Sequence, residues 1–394
     1  MIPAIPDLEV ENIVTEQNIT ALIVGCGIIG KHHGVVLTRH PSFTVTAVTD
    51  PDPAMVESAS AAIVGAGGAA PATYSSVAEA LEARVADLVV ICTPSGLHVE
   101  QALAALEYDV HLVIEKPLSV SVAQGRELID AAERATSQGR CVTVISQHRF
   151  DPATVAVREA IEGGSFGQLT SAAAVMSMYR SQQYYDQGAW RGTWALDGGG
   201  AAMNQGVHTV DLLRSFLGRP EEISAYTAQL GHERIEIEDL ATATIRFESG
   251  ALATVLCTTA GYPGLPVRVH VHGLRGSAVI DDSRLEFFHA GDPESGQAPN
   301  QAAERVEVGE LRSSPPAEDF FVTGHLRQYD DIADAITNKR PPVVTVNEAL
   351  LSLALVRAIY LSATLGAPVR FDDVLDGKFD ESAEAAVAAI GGAI

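Results

Sequence analysis

A chain of 394 residues, 47% apolar and 19% charged, has the balance of a globular protein and the length for two or three domains. Its formal charge of −24, with no basic cluster along the sequence, argues against nucleic acid or an anionic membrane as partner, though a helix N-terminus can still hold a small anion. No apolar run is expected to span a bilayer, and four scattered cysteines without a CxxC pair read as buried free thiols of a cytoplasmic protein.

The opening stretch, MIPAIPDLEVENIVTEQ, has acids where a signal peptide has a basic region, and lacks its apolar core. The run Ala21 to Val24 then predicts a buried strand, followed by Gly25, Gly27 and Gly30 of a GxGxxG turn and a helical pattern. In that context Gly25 permits the tight turn, Gly27 lets the main chain approach a pyrophosphate, and Gly30 lets helix and strand pack closely. Ile28 and Ile29 open the helix on whose N-terminus the pyrophosphate would sit. The next strand, FTVTAVTD, ends on Asp50, 20 residues after Gly30. A carboxylate there can accept both hydroxyls of an adenosine ribose and would repel a 2′-phosphate, which favours NAD over NADP. Ordinary turn chemistry in DPDP is the alternative reading of Asp50.

Helical patterns at PAMVESASAAIV, SVAEALEA, LHVEQALAALE and SVAQGRELIDAAERA alternate with strands at ADLVVICTP, DVHLVIEKP and CVTVISQ. This predicts a doubly wound parallel sheet over residues 1–150. Ligands in such a sheet bind beyond the strand C-terminal ends, which here carry Thr93, Pro94, Glu115, Lys116 and Gln147. A lysine at a buried strand end is costly unless it serves a site, and Pro117 beside Lys116 is compatible with a cis bond.

After residue 150 the pattern changes. DPATVAVREAIEGGSFGQL reads as a helix, and TSAAAVMSMY, AYTAQLG, LATATIRFESGALATVLCTT, VRVHVHGLRGSAVID and LEFFH read as antiparallel hairpins. Within YYDQGAWRGTW, Tyr185 and Trp190 could stack on a pyranose and Arg191 could hold a cofactor or substrate oxygen. In NQGVHTVD, helical spacing would place Asn204, His208 and Asp211 on one face, as a plain polar stripe or as a site. His270 and His272 share a strand face without a third ligand motif, so no metal is expected. Residues 290–316 read as a surface loop with one short strand. The helices HLRQYDDIADAITN and NEALLSLALVRAIYLSATLG should pack back on the first domain, closing a second domain over 151–372 before a tail, 373–394.

The ordered motifs GCGIIGKHH, ICTPSGLHVEQALAAL, HLVIEKPLSV, LDGGGAAMNQGVHTVDLL and RQYDDIADAITNKRPPVV make the chain resemble the Gfo/Idh/MocA oxidoreductases from about residue 20 to 372. The resemblance implies a Rossmann domain followed by an α/β domain with a large, mostly antiparallel sheet, assembled as a dimer or tetramer. It implies hydride transfer between NAD and a secondary alcohol of a sugar, anhydrosugar or cyclitol. It puts Lys116 beside nicotinamide and substrate, makes His208 the general base for oxidation or acid for reduction, with Lys116 of depressed pKa as the alternative proton acceptor, brings Tyr329 to the substrate, and sets His98 near the cofactor, where capping or packing is the alternative. Asn204 stands where inositol dehydrogenase-like members carry an Asp that pairs with the histidine, and an amide cannot stabilise an imidazolium as a carboxylate does. Sugar-nucleotide dehydrogenase-like members, similar to those oxidising UDP-N-acetylglucosaminuronate at C3, share that Asn. Such a 3-dehydrogenase and an NAD-dependent glycosidase are the alternative readings, while the lack of a basic run for a diphosphate favours an uncharged sugar or cyclitol. A non-catalytic dinucleotide sensor is disfavoured by the presence of both Lys116 and His208.

Overall fold

The computed structural model of the chain describes residues 18–188, 190–315 and 319–380. The acidic opening stretch and residues 381–394 of the tail lie outside them. Strands β1 (Ile19–Val24), β2 (Phe43–Thr49), β3 (Ala72–Tyr74), β4 (Leu88–Ile91), β5 (His111–Ile114) and β6 (Val142–Val144) form an all-parallel sheet in the order β3-β2-β1-β4-β5-β6. The central strands β1 and β4 are buried almost throughout, as a sheet covered on both faces requires. The order reverses between β1 and β4, which opens a ligand crevice beyond their C-terminal ends.

Helices α1 (Ile28–Arg39), α2 (Pro53–Gly65), α3 (Val77–Glu82), α4 (His98–Leu106) and α5 (Val122–Ser137) connect these strands. Side chains fix most of their starts. Asp52 caps α2, Ser76 caps α3 and Ser121 caps α5, each accepting from a main-chain N–H of the first turn.

A second sheet follows α6 (Pro152–Glu162). It contains β7 (Leu169–Ser177) and, after α7 (Gln182–Asp186) and α8 (Val207–Leu217), the strands β8 (Pro220–Ala228), β9 (Leu240–Phe247), β10 (Leu252–Thr258), β11 (Arg268–Gly273), β12 (Gly276–Asp281) and β13 (Arg284–Ala290). Its order is β13-β12-β11-β7-β10-β9-β8, with β14 (Val369–Arg370) beyond β8; all neighbours are antiparallel except β7 and β10. Strand β9 shows the pattern: Ala241, Ala243, Ile245 and Phe247 face the core, while Thr242, Thr244 and Arg246 are exposed. Among the described residues of 290–316 there are three short 3₁₀ turns and a bridge from Leu311 to Leu285, instead of the expected short strand.

The chain then returns to the first domain. Helix α9 (Phe320–Asn338) packs on α1, and its Tyr329, Ile332 and Ile336 join Ile23, Val36 and Val48 in one apolar cluster. Helix α10 (Val346–Leu365), capped by Thr345, lies against α5, α8 and β8. Helix α10 has the length and mean hydropathy that a membrane span would need, but two-thirds of its apolar window (67%) is buried inside the fold, as in a core helix. Leu353 and Ala354 of α10 share one core with Ile114 and Leu118 of the first domain and Val210 and Leu213 of α8, so the two domains are joined by a continuous interior.

Candidate active site

At the end of β1 the main chain of Gly25 has φ +91°, and a Cβ there would lie 2.8 Å from the Cys92 carbonyl carbon. A Cβ on Gly30 would come within 1.8 Å of the Gly25 oxygen, so α1 can sit this close to β1 only with glycine. Nothing lies within 4 Å of the corresponding point on Gly27, which leaves open space before the turn. Helix α1 has no side-chain cap and no acid in its first turn, whereas α2, α3, α5 and α10 each begin with a side-chain cap. Its first N–H groups are therefore free for an anion, with Ile28, 74% exposed, beside them. Asp50 guards the far lip, its two oxygens accepting from the main-chain N–H groups of Cys26 (2.8 Å) and Asp52 (2.9 Å). Gln147, past the end of β6, has a buried Oε1 without a partner among the described residues. Thr93 and Pro94 are half-buried at the end of β4, with Thr93 Oγ1 donating to Gln101. An uncapped helix end, a glycine floor and an orphan acceptor fit a dinucleotide.

The next wall is the turn after β5. Glu115 is buried, with Oε1 2.7 Å from His33 Nε2 and Oε2 accepting from the Lys116 N–H at 3.0 Å. Burial alone would raise the Glu115 pKa, but the His33 hydrogen bond and charge, with Lys116, hold it well below the carboxylate range. The Lys116–Pro117 bond is cis. Lys116 Nζ crosses to the second domain and donates to the main-chain oxygen of Asn204 at 2.8 Å. Burial, reinforced by Arg180, lowers the Lys116 pKa from its ordinary value although Glu115 and Asp197 pull the other way.

Two expected ligand contacts move inward here. His98 is buried, with Nδ1 2.8 Å from the Pro117 carbonyl oxygen and Nε2 2.9 Å from that of Thr93. It staples the two strand-end turns together and offers no free nitrogen to a cofactor. Tyr329 is fully buried on α9, its hydroxyl 2.8 Å from His33 Nδ1, so it supports Glu115 through His33 and does not face a substrate.

Opposite stands the glycine-rich segment before α8. A Cβ on Gly200 would lie 1.6 Å from the Glu238 main-chain oxygen, and the Glu238 carboxylate accepts from the N–H groups of Gly200 and Ala202. Clamped this way, residues Ala201–Gln205 form one π turn, closed by Gly206 N–H to the Ala201 oxygen at 2.7 Å, before α8 begins. The wider turn takes Asn204 out of α-helical register with His208, so the expected single stripe does not form. Asn204 Nδ2 donates instead to Asp197 Oδ1 at 2.5 Å, and Asp197 also accepts from the Gly192 N–H at 3.0 Å.

His208 is half-buried, stands edge-on to His148 with centroids 5.1 Å apart, and makes no side-chain hydrogen bond among the described residues. It shares a cavity of about 350 Å³, open mouth included, with Lys116 and Ser146. Burial, then Lys116 and His148, push the His208 pKa well below its ordinary value, so its ring is neutral at pH 7. Asp211 lines the same cavity, but its carboxylate is taken by Arg149 Nε (2.7 Å) and Nη2 (2.6 Å) and by the Ser146 and Ser352 hydroxyls and makes no hydrogen bond to His208.

Tyr185 is also buried away from the cleft, hydrogen-bonded to Thr259 Oγ1 at 2.9 Å and packed with Ile235 and Ile237. Its neighbour Tyr184, which the sequence reading passed over, is the one beside the site: Gln205 Nε2 donates to its hydroxyl at 3.3 Å, and the Arg191 guanidinium lies 4.2 Å from its ring centre. Arg191 also lies 5.0 Å from the Trp190 ring.

Two metal arrangements can be weighed. His33, Glu115 and His325 bring ligand atoms within 4.8 Å of one another, but both nitrogens of His33 are already taken, so Tyr329, His33 and Glu115 read as a hydrogen-bond relay, with His325 beside it bonded to His32 at 3.2 Å. His270 and His272 stand 6.2 Å apart, and His272 Nδ1 pairs with the Ser277 hydroxyl. His325 has a consequence for stability. Burial, then the charge of His33, pushes His325 down to about 3, whereas the unfolded residue titrates near 6.5. The unfolded chain then binds a proton that the folded one refuses, so this contribution is intact above pH 6.5 and erodes as pH falls toward 3. His325→Phe should flatten the fall in unfolding free energy between pH 6.5 and 5 by up to about 1.4 kcal/mol per pH unit. Urea titrations at several pH values read this directly, and parallel slopes for both proteins would refute it.

Comparison with known proteins agrees with this geometry. Residues 19–145 match the Gfo/Idh/MocA oxidoreductase family's NAD-binding Rossmann fold, and residues 158–371 match the family's C-terminal alpha/beta domain. The scyllo-inositol 2-dehydrogenase (NAD(+)) of Bacillus subtilis (strain 168) is 25% identical over 372 residues, covering 91% of this chain and 97% of that protein. The crystal structure of the WlbA dehydrogenase from Bordetella pertussis, in complex with NADH and UDP-GlcNAcA, superposes with a TM-score of 0.76 at 31% identity, over 90% of this chain and 98% of that one. A levoglucosan dehydrogenase in complex with NADH and levoglucosan shares the fold, with a TM-score of 0.78 at 20% identity over 90% and 99%.

Proposed function

Since the chain belongs to the Gfo/Idh/MocA oxidoreductase family and carries its NAD-binding Rossmann domain, we propose that it oxidises a secondary alcohol of a sugar, anhydrosugar or cyclitol. The observation that carries this reading is Lys116 Nζ, held at the domain junction by the Asn204 carbonyl and sharing a cavity with an unbonded His208. NAD, when bound, supplies the hydride acceptor. A neutral His208 is ready to take the hydroxyl proton as the carbinol hydride leaves, so one proton and one hydride account for the two-electron oxidation. Lys116 donates to the same hydroxyl oxygen and holds it toward His208. Asn204 acts through its main-chain oxygen on Lys116 and through its amide on Asp197.

Similarity to an inositol dehydrogenase and to a dehydrogenase bound to UDP-GlcNAcA supports cyclitols and nucleotide sugars as the classes to test first. The experiment is NADH absorbance with NAD against inositols, pyranoses, anhydrosugars and UDP-sugars. A signal with one class supports the reading; cleavage of a glycoside without net NADH would point to the glycosidase chemistry instead.

On the cofactor side, Asp50→Ser should relax the preference for NAD. The ratio of kcat/KM for NAD to that for NADP falls by roughly tenfold or more once the carboxylate no longer meets the 2′-phosphate. An unchanged ratio would remove Asp50 from the ribose site. The open, threonine-rich face of the second sheet is the surface through which we expect a dimer or tetramer to form. Four buried free thiols suit a reducing compartment such as the cytoplasm.

A further inference from the structure

Oxidation of an alcohol leaves a proton on His208 at every turnover, and that proton has to depart before the next alcohol can react. The groups nearest His208 are poorly placed to take it. Lys116 Nζ is a donor bound to the Asn204 oxygen, the Asp211 carboxylate is filled by Arg149, Ser146 and Ser352, and that of Glu115 by His33 and the Lys116 N–H. Burial, then the charges of Lys116 and His148, hold the His208 pKa well below its ordinary value, so the ring holds a proton weakly.

Edge-on to His208, with ring centres 5.1 Å apart, stands His148. It lies on the 3₁₀ turn Gln147–Phe150 that follows β6, and this turn brings its Nδ1 within 2.8 Å of Asp151 Oδ2, three residues on. A carboxylate oxygen can only accept, so Nδ1 carries a hydrogen and Nε2 is the nitrogen left to take and lose a proton. Three further elements hold this pair. Asp151 opens α6 without capping it, so its side chain is spared for His148. It is buried, with Oδ1 3.3 Å from Arg327 Nη1 on α9, and the Ser283 hydroxyl of the β12–β13 turn lies 2.9 Å from His148 Nδ1. His148 Nε2 has no partner among the described residues, and the side chain is 26% exposed, enough to meet solvent.

We propose that His148, oriented by Asp151, shuttles the proton from His208 to solvent. It acts through His208 and does not touch the sugar. The hydroxyl O–H bond breaks as a His208 ring nitrogen takes the proton and the carbinol hydride passes to NAD. The proton then moves from His208 through one water to His148 Nε2, the Asp151 carboxylate stabilises the imidazolium so formed, and bulk water or buffer removes the proton from Nε2. A water is needed because the two rings make no direct hydrogen bond. The shuttle rests on the dehydrogenase reading above and adds the route by which its proton leaves.

His148→Asn keeps a donor for Asp151 but cannot carry a proton. With the full-length protein, NAD and the inositols, pyranoses, anhydrosugars and UDP-sugars named above, the first turnover of hydride transfer should be unchanged. In dilute buffer kcat should fall by roughly tenfold or more, at unchanged KM and NADH affinity. Added imidazole at constant pH should restore kcat in the variant and leave wild type as it was, a rescue that a merely structural histidine would not show. A variant as fast as wild type in dilute buffer, or a loss that imidazole does not repair, would overturn the shuttle. Histidine ring NMR signals of the isotope-labelled, NADH-bound protein separate the shuttle from the reaction it rests on. His148 should carry its hydrogen on Nδ1, and His148→Asn should raise the pH at which His208 titrates. A hydrogen on Nε2 instead, or a His208 titration indifferent to His148, would overturn the shuttle with or without turnover. The expected signals without turnover of any of these sugars would leave the shuttle standing and defeat the dehydrogenase reading for these classes.

Discussion

Lys116→Ala leaves NADH bound and lowers turnover by roughly 10²–10⁴-fold, the range for losing a positioned acid-base or orienting group. The loss falls on kcat, because Lys116 Nζ sits at the domain junction on the Asn204 oxygen, while the glycine turn and the uncapped end of α1 are formed by other segments. Removing the cation also relieves His208 of the charge that, after burial, does most to hold its pKa down. Residual activity should therefore show an acid limb shifted upward toward the ordinary histidine value, because a base that protonates more easily is lost at higher pH. Steady-state kinetics from pH 5 to 9 and NADH fluorescence titration check both halves. Full turnover in the variant would remove Lys116 from the chemistry.

Asp211→Ala should lower the free energy of unfolding by about 3 kcal/mol, the low end of the cost of breaking a buried ion pair, because Arg149 keeps its bond to Glu348. Asp211 is the hub of an ion-pair network that binds the segment after β6, α8 and α10: it accepts from Arg149 through both oxygens, while Glu348 takes a further bond from Arg149 and an ion pair from Arg214. Burial would raise its pKa, yet Arg149 above all holds it well below the carboxylate range. Asp211→Asn keeps the shape and one acceptor, so it should fall between wild type and alanine. Urea unfolding of the three proteins ranks them, and an alanine variant within 1 kcal/mol of wild type would show the network to be dispensable.

The parts of this molecule that could be read from sequence are those whose signal is local. Buried parallel strands are continuous apolar runs, and Gly25, Gly27 and Gly30 stand where a turn, an approach and a contact each need them. Strands β3 and β14, three and two residues long, have no period to detect. The alignment of Asn204 with His208 failed because spacing alone cannot reveal a π turn, which depends on the Glu238 clamp 36 and 38 residues away. His33 lies on the inward face of α1, three residues after Gly30, so helical periodicity could have marked it as buried. Its partner Glu115 is 82 residues distant, and no local pattern links the two. Tyr184 and Tyr185 are adjacent, and only the fold decides which of them faces the cleft.

The packing of α9 against α1 sets the order in which the newly made chain can mature. One face of the parallel sheet is complete only when Tyr329, Ile332 and Ile336 arrive. At about 5–20 residues per second, the ribosome needs about 10–40 s to go from Val144, the end of β6, to Ile332. Throughout that interval the dinucleotide domain has all its strands but an apolar face that α1 and α2 cover only in part, the kind of surface that chaperones bind and that promiscuous association exploits. A nascent chain halted before residue 329 should thus remain protease-sensitive over residues 18–145, and release of α9 is the event that locks the domain synthesised first.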